Sequence, residues 1–564
     1  MTRPRLSHRS STALPLLVLA AVAVVAATCA TVAVGQQTVT LTTENGAPID
    51  NARSAQTVGN RGPVLLQDFQ LIERLQVQSI SNKLVDSIER IPERNVHARG
   101  ALAKGYFQVT DDISNLTFAE VFNGVGKQTP VALRFSTVIH SLHSPEFLRD
   151  PRGFALKFYS QEGNYDIVGL NFPVFFIRDG IRFPEMIRSL KPNPLTGVQE
   201  WWRVWDFFSN YPESTHMFTW LLDDVGIPAS YCQLDGWGVH TYKFISKAGK
   251  ELLVRYYFES AQGVVSLNDD DAVKEHFSFA TIDLTNRMNA GIVREFWTLY
   301  IQVLDPSDTR KIESLSYDYL DTTKQWQVSD FPLQRVGTLV LNENPRNQFL
   351  ENEQSAFSPA RMVPGIAPSD EKMLQARLFS YGDTQRYRLG TNNQMLPINR
   401  PKCPFFDNHV DGLMNFNEPT ADSAGEINYF PSNIRTNVKE AAPYYHETEV
   451  VTGQKVRANI NLTNDFAQPG ARYRSFDSDR QNRLAQRIAS ALSDPRLPPA
   501  IQSTWLGYFG SADAGLRSSI EHYLSALQMS PEMVAEGVSA GTLHPKLKDI
   551  HAFRAAFHRA AGSQ

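Results

Sequence analysis

Cysteine is nearly absent from this chain. The 564 residues hold three, Cys29, Cys232 and Cys403, with no Cys-x-x-Cys spacing, so disulfides do not hold the fold together. An excess of one charge is missing as well. Lys and Arg number 55 against 59 Asp and Glu, a formal net charge of −4; that balance leaves no electrostatic footprint for nucleic acid, and no nucleic-acid partner is expected. No internal repeat is found. What is present is enough apolar material, 42% of residues, to bury a large core and to build several subdomains.

The N-terminus reads as a targeting segment. Arg3, Arg5, His8 and Arg9 precede an apolar core from Leu16 to Ala27, and Ala33-Val34-Gly35 offers a cleavage site before Gln36, the order of a secretory signal peptide over residues 1–35. The low-charge stretch continues to Val34, so residues 14–34 approach the ~20 needed to span a bilayer, and an uncleaved membrane anchor is the alternative. Either way the body faces a secretory compartment, secreted or at the cell surface. Asn115-Leu116-Thr117 and Asn461-Leu462-Thr463 then become N-glycosylation acceptors.

Beyond the leader, residues 36–96 read as a polar arm with a helical patch near Val64 to Leu75. Residues 97–341 carry β-rich runs: Val131 to Phe135, Phe154 to Tyr159, Tyr242 to Ile245 and Leu252 to Tyr257. Alternation such as Tyr242 and Phe244 against Lys243 predicts half-buried antiparallel strands, and the proline-free run from Gly197 to Ser209 predicts a helix. Residues 342–458 shift to Pro, Asn and Gly with little periodicity. Residues 459–564 return to helix, with Leu484, Ile488 and Leu492 on one stripe and Ile520, Leu524 and Leu527 on another.

Two short segments carry the chemistry. In Arg377-Leu378-Phe379-Ser380-Tyr381 the arginine and tyrosine are four apart and share a helix face; a guanidinium beside a phenol favours the phenolate, a ligand for haem iron. Nearly three hundred residues earlier stands Arg94-Asn95-Val96-His97-Ala98-Arg99-Gly100, with a histidine whose ordinary pKa suits acid–base work. An Arg-x-x-x-Tyr pair alone fits any helix surface, but three further segments lie between: Arg134-Phe135-Ser136-Thr137-Val138, Asp150-Pro151-Arg152-Gly153-Phe154-Ala155 and Pro173-Val174-Phe175-Phe176-Ile177-Arg178-Asp179. In this order the five resemble the monofunctional haem catalases, and the resemblance runs from about Thr43 to about Pro499.

That resemblance implies an α+β fold: an eight-stranded antiparallel β-barrel with an N-terminal arm, a wrapping segment that carries the haem-ligating helix, and a C-terminal helical domain, assembled as a homotetramer. It implies His97 as the acid–base group acting on hydrogen peroxide and Ser136 as its hydrogen-bond partner. It further implies Tyr381 as the iron ligand with Arg377 beside it, and Arg94, Arg134 and Arg388 on the propionates of a b-type haem. Val96, Phe154, Phe175 and Phe183 are expected to line the haem face and the channel.

Several positions depart from the family pattern. Where catalases read Val-Gly-Asn-Asn-x-Pro, this chain has Val168-Gly169-Leu170-Asn171-Phe172-Pro173, which puts Leu170 at the catalytic asparagine. Asn171, its strand neighbour, points to the opposite face unless a bulge intervenes. The stretch after Val138 is Ile139-His140-Ser141-Leu142-His143-Ser144 instead of a small, Gly-containing one, and is expected to be a surface loop. Gln385 stands where many members have histidine. Val225, Glu259 and Val328 replace the arginine, lysine and histidine of the NADPH-binding subset, so although His216 and Trp326 match it, no NADPH is expected. The chain ends Gly562-Ser563-Gln564, without the peroxisomal tripeptide of many eukaryotic catalases. Three activities follow from this pattern: a catalase, a catalase-like peroxidase acting on organic hydroperoxides, or a haem-binding paralogue with little turnover.

Overall fold

The computed structural model describes residues 91–291, 295–408, 412–415, 427–446 and 464–560, with four isolated positions before them. The chain divides into two compact units, Met1–Pro92 and Glu93–Gln564. In the first, the described residues form one antiparallel bridge, Thr42 with Pro48; the leader and the helical patch near residues 64–75 lie outside the described residues. Everything below concerns the second unit.

Ten strands form one antiparallel sheet: β1 (Gly100–Val109), β2 (Gln128–Thr137), β3 (Arg152–Ser160), β4 (Gly163–Leu170), β5 (Gly236–Trp237), β6 (Tyr242–Ile245), β7 (Glu251–Ser260), β8 (Glu295–Leu304), β9 (Gln334–Glu343) and β10 (Ile366–Pro368). The order β7-β5-β4-β3-β2-β1-β9-β8 closes on itself because β8 also pairs with β7, which makes an eight-stranded barrel; β6 and β10 extend the sheet outward from β7. Closure leaves no free edge around the ring. The interior is aromatic. Phe107 meets Phe158 edge-on at 5.5 Å and Phe135 meets Phe154 at 5.7 Å, an arrangement that aromatic quadrupoles favour.

The predicted strands at 131–135, 154–159, 242–245 and 252–257 all fall within these elements. The exposed face expected for β6 is not found: all four residues are buried. Lys243 is one of them, because β7 and β10 flank the strand on both edges and its ammonium, 3.6 Å from Glu251, has a charge partner.

Between β4 and β5 lie α1 (Phe183–Leu190) and α2 (Trp201–Phe208). The second is the helix predicted from the proline-free run; it buries Trp201, Val204, Trp205 and Phe208, the i, i+3, i+4, i+7 face of a helix. The segment after β9 holds a wide helical turn at Gln348–Glu353, where Gln354 N donates to Phe349 O at 2.9 Å, and then α3 (Lys372–Leu389). The C-terminal layer contains α4 (Ser478–Leu492), α5 (Pro499–Ala512), α6 (Ala514–Leu527), α7 (Pro531–Ser539) and α8 (Ile550–Ala560). Both predicted stripes are buried there. Trp505 of α5 locks this layer to α2, with its indole N–H on Trp205 O at 2.9 Å and its ring edge-on to Trp205 at 4.7 Å. Among the described residues no helix is long and apolar enough to cross a membrane; residues 14–34 lie outside them.

Candidate active site

One wall of the site is His97, in the chain entering β1. Its backbone is left-handed, φ 62°, a conformation that costs a non-glycine residue on the order of 1–3 kcal/mol and persists only where the surroundings enforce it. Two bonds enforce it: His97 N donates to Val138 O at 2.8 Å, and Arg134 Nη1 donates to His97 O at 2.7 Å. The imidazole Nδ1 lies 2.9 Å from Ser136 Oγ of β2. Gly153 of β3 lies behind both, and a Cβ there would fall 2.5 Å from His97 Nδ1, so this close approach requires glycine. Burial above all, then the charges of Arg134, Arg377 and Arg94, push the His97 pKa down to about 3. The ring is a neutral base at physiological pH.

The opposite wall is α3. Arg377 Nη2 donates to Tyr381 Oη at 2.5 Å, and the guanidinium carbon lies 4.7 Å from the centre of the Tyr381 ring. Arg377 Nη1 reaches Val168 O at 3.1 Å and also His240 Nε2. The other ring nitrogen of His240 bonds the Glu371 carboxylate, whose second oxygen accepts Thr241 N at 2.8 Å. Glu371 occupies the N-cap of α3 yet does not cap it with its side chain; the carboxylate is turned to His240 instead. Burial lowers the His240 pKa, with Glu371 opposing. The neutral tautomer with its proton facing Glu371 leaves Nε2 to accept from Arg377. The series Glu371, His240, Arg377, Tyr381 is therefore continuous, and neither Glu371 nor His240 was singled out in the sequence.

At one end the three predicted arginines meet. Arg94 Nη2 donates to Asn352 O and Glu353 O at 2.8 and 2.9 Å, Arg134 Nε to Asn352 Oδ1 at 2.9 Å, and Arg388 Nη1 to Glu353 O at 2.7 Å. Gln385 Oε1 accepts from Arg388 Nη2 at 3.0 Å, so the glutamine at the histidine position steers a guanidinium. Burial and mutual repulsion hold Arg94 well below its ordinary pKa, and burial first, then Arg134, brings Arg388 down to about 10. Glu353 is the carboxylate that ion-pairs here, 3.3 Å from Arg94. Three buried cations against one anion fit a guest that brings negative charge.

These walls enclose a cavity of about 420 Å³ lined by His97, Ser136, Arg94, Arg134, Arg388 and Tyr381, with Val96, Ala155, Phe183, Phe357 and Phe379 between them. A second chamber of about 30 Å³ shares His97, Val96, Val168, Phe183 and Tyr381 with it and is walled by Leu170, Val138, Phe175, Met186, Val239 and Arg377. A phenol–guanidinium pair facing a histidine, an apolar middle and a cationic end together fit haem: metal ligand, macrocycle and propionates.

Leu170 stands in the small chamber, whereas Asn171 does not. Asn171 Oδ1 accepts Arg152 N at 2.7 Å, so no bulge brings its amide to the peroxide side. Phe154, expected at the haem face, is in the barrel interior against Phe135, Phe258 and Trp297; strand alternation gives the cavity its neighbours Gly153 and Ala155 instead. The stretch after Val138 is not a surface loop throughout: His140 is 6% exposed while His143 is exposed. Among the described residues no His, Cys, Asp and Glu cluster could hold a metal ion. Of the positions weighed for NADPH, His216 Nδ1 donates to Thr323 O at 2.9 Å, Trp326 is buried, and Val328 is 52% exposed.

Residues 42–436 match the Catalase family model, and residues 459–524 match a second, Catalase-related immune-responsive. The chain is 51% identical over 487 residues to Catalase-1/2 of Glycine max, covering 86% of this chain and 96% of that one, and equally so to Catalase-2 of Arabidopsis thaliana. Catalase A from Saccharomyces cerevisiae superposes with a TM-score of 0.77 at 36% identity, over 86% of this chain and 98% of that one. The chain belongs to the catalase family, haem enzymes that convert hydrogen peroxide to water and dioxygen.

Proposed function

We propose that this catalase works through His97 as its acid–base group, with Leu170 as an apolar wall where the family pattern places an asparagine. The observation that carries it is the juxtaposition of the His97–Ser136 pair and the Arg377–Tyr381 pair across one cavity. With Nδ1–H donated to Ser136, His97 Nε2 presents a lone pair; it takes a proton from one peroxide oxygen and returns it to the other as the O–O bond breaks. A bound haem supplies the iron that exchanges electrons with peroxide. Tyr381 would ligate it, and Arg94, Arg134 and Arg388 would hold its propionates.

A second activity, reduction of organic hydroperoxides, draws on the apolar Leu170. The size of the chamber weighs against it. At about 30 Å³ it holds about two water-sized groups, each needing ~10–15 Å³, which suits hydrogen peroxide better than an alkyl hydroperoxide. The test is dioxygen evolution by haem-loaded protein lacking residues 1–35, beside Leu170→Asn. Evolution by both supports the proposal; evolution by the variant alone, with turnover of ethyl hydroperoxide by the parent, supports the second activity.

Two further properties belong to this proposal. The basic, apolar, small-residue order of residues 1–35 supports entry into the secretory pathway, with cleavage or anchoring as its two outcomes. Exposed Leu413, Met414 and Ile434 support burial of the wrapping segment against other copies, as a homotetramer; sedimentation of the purified protein tests it.

A further inference from the structure

Helix α8 lies C-terminal to both matched family ranges, the later of which ends at residue 524, and yet it joins the frame behind His97. Its last described residue, Ala560, is fully buried against Ile227 and Ala272. The Ala560 carbonyl, one of the acceptors a helix leaves unsatisfied at its C-terminus, takes the backbone N–H of Arg149 at 2.6 Å. Arg149 is fully buried, with its guanidinium on Asp269 at 2.6 Å and on Asp223 O at 2.5 Å. The next residue, Asp150, accepts Val138 N at 2.5 Å and Ile139 N at 3.0 Å on one carboxylate oxygen. Val138 O in turn holds His97 N, one of the two bonds that enforce the left-handed backbone of that residue.

We propose that α8 is a positioning strap for His97, acting through Arg149, Asp150 and Val138. The path contains three hydrogen-bonded steps and one peptide link, and Ala560, Arg149 and Asp150 are all fully buried. A strained backbone needs such a frame, because loss of one restraint lets the residue relax to an ordinary conformation and carries the imidazole away from Ser136. The strap rests on the reading of His97 as the catalytic base only for its effect on activity; its effect on backbone order is independent of that reading.

The experiment compares the full chain with a chain ending at Phe557, which removes the Ala560 carbonyl while keeping the buried Phe557. A Val534→Ala variant, which opens a cavity in the same helical layer away from Arg149, serves as the control. Hydrogen exchange is followed in peptides covering residues 94–100 and 136–142, together with haem content and dioxygen evolution. The shortened chain is expected to lose at least tenfold in amide protection in those two peptides and about tenfold in turnover, with haem retained and barrel strands β7 and β8 unchanged. Val534→Ala is expected to lower the melting temperature without loosening the two peptides. If the shortened chain does not fold, Ala560→Leu, which crowds Ile227 and Ala272 and displaces the same carbonyl, takes its place. Unchanged protection at residues 94–100 and 136–142, or equal loosening by Val534→Ala, overturns the strap and leaves α8 a stabilising element. Loosened peptides with undiminished turnover leave the strap standing and count instead against His97 as the base.

Discussion

At the scale of single residues the site is a set of close approaches. Gly153 is the clearest: Gly153→Ala places a methyl 2.5 Å from His97 Nδ1, so the variant is expected to fold, to break the His97–Ser136 pair, and to lose most of its dioxygen evolution with haem retained. Leu170→Asn tests the opposite change, a polar group added to an apolar chamber. It is expected to raise kcat/KM for hydrogen peroxide by up to about 10²-fold, the scale on which one preorganised donor acts, and a fall on substitution contradicts that account. The pH profile follows from His97. Its pKa, pushed down to about 3 by burial and the neighbouring arginines, keeps the base neutral across the usual imidazole range, so kcat/KM is expected to stay flat through pH 6.5 and to fall only well below it. An acid limb centred near 6.5 contradicts a desolvated His97 beside the arginines. Much of this was legible in the sequence because the five segments each keep their neighbours. Phe154 was misplaced because matching a segment does not say which of two strand faces a residue takes, and alternation sent Gly153 and Ala155 to the cavity in its stead.

At the scale of elements, α3 is the part whose local sequence least explains its structure. Its N-cap residue Glu371 gives up capping to bond His240 and Thr241, a local rule broken at a functional place. Glu371→Gln removes the negative charge that fixes the His240 tautomer. Activity is expected to fall on the order of 10–100-fold, as when the partner of a ligand-orienting histidine is lost, with a shift in the absorption bands of the haem-loaded protein; unaltered bands contradict a link from Glu371 to Tyr381. His240 and Glu371 are 131 residues apart, and no short motif joins them, which is why neither was found from sequence. The strands and the C-terminal stripes were found because burial on one face leaves a period of two or of 3.6. Lys243 shows where that logic stops: a buried lysine with a carboxylate nearby reads in sequence like an exposed one.

At the scale of the whole molecule, histidines held neutral by desolvation set the response to acid. Burial pushes His97, His140 and His216 each down to about 3, against an ordinary value near 6.5. Between those values the unfolded chain binds more protons than the folded one, so this stability is fully present above about pH 6.5 and is lost as pH falls from there toward 3. Asp150, raised to about 7 mainly by burial, works the other way, as do Glu213 and Asp235, also raised by burial, but the histidines, with His240 and His558 lowered as well, outnumber them. The urea midpoint is therefore expected to fall between pH 7 and pH 4; a rise would mean that these histidines are solvated. The function of the molecule turns on one reaction at one base. Its most direct test is the yield of dioxygen per hydrogen peroxide consumed, measured on haem-loaded protein and on His97→Gln at equal haem content. One dioxygen for every two peroxides, lost on His97→Gln, is the predicted result; peroxide consumed without dioxygen, or evolution undiminished in His97→Gln, contradicts it.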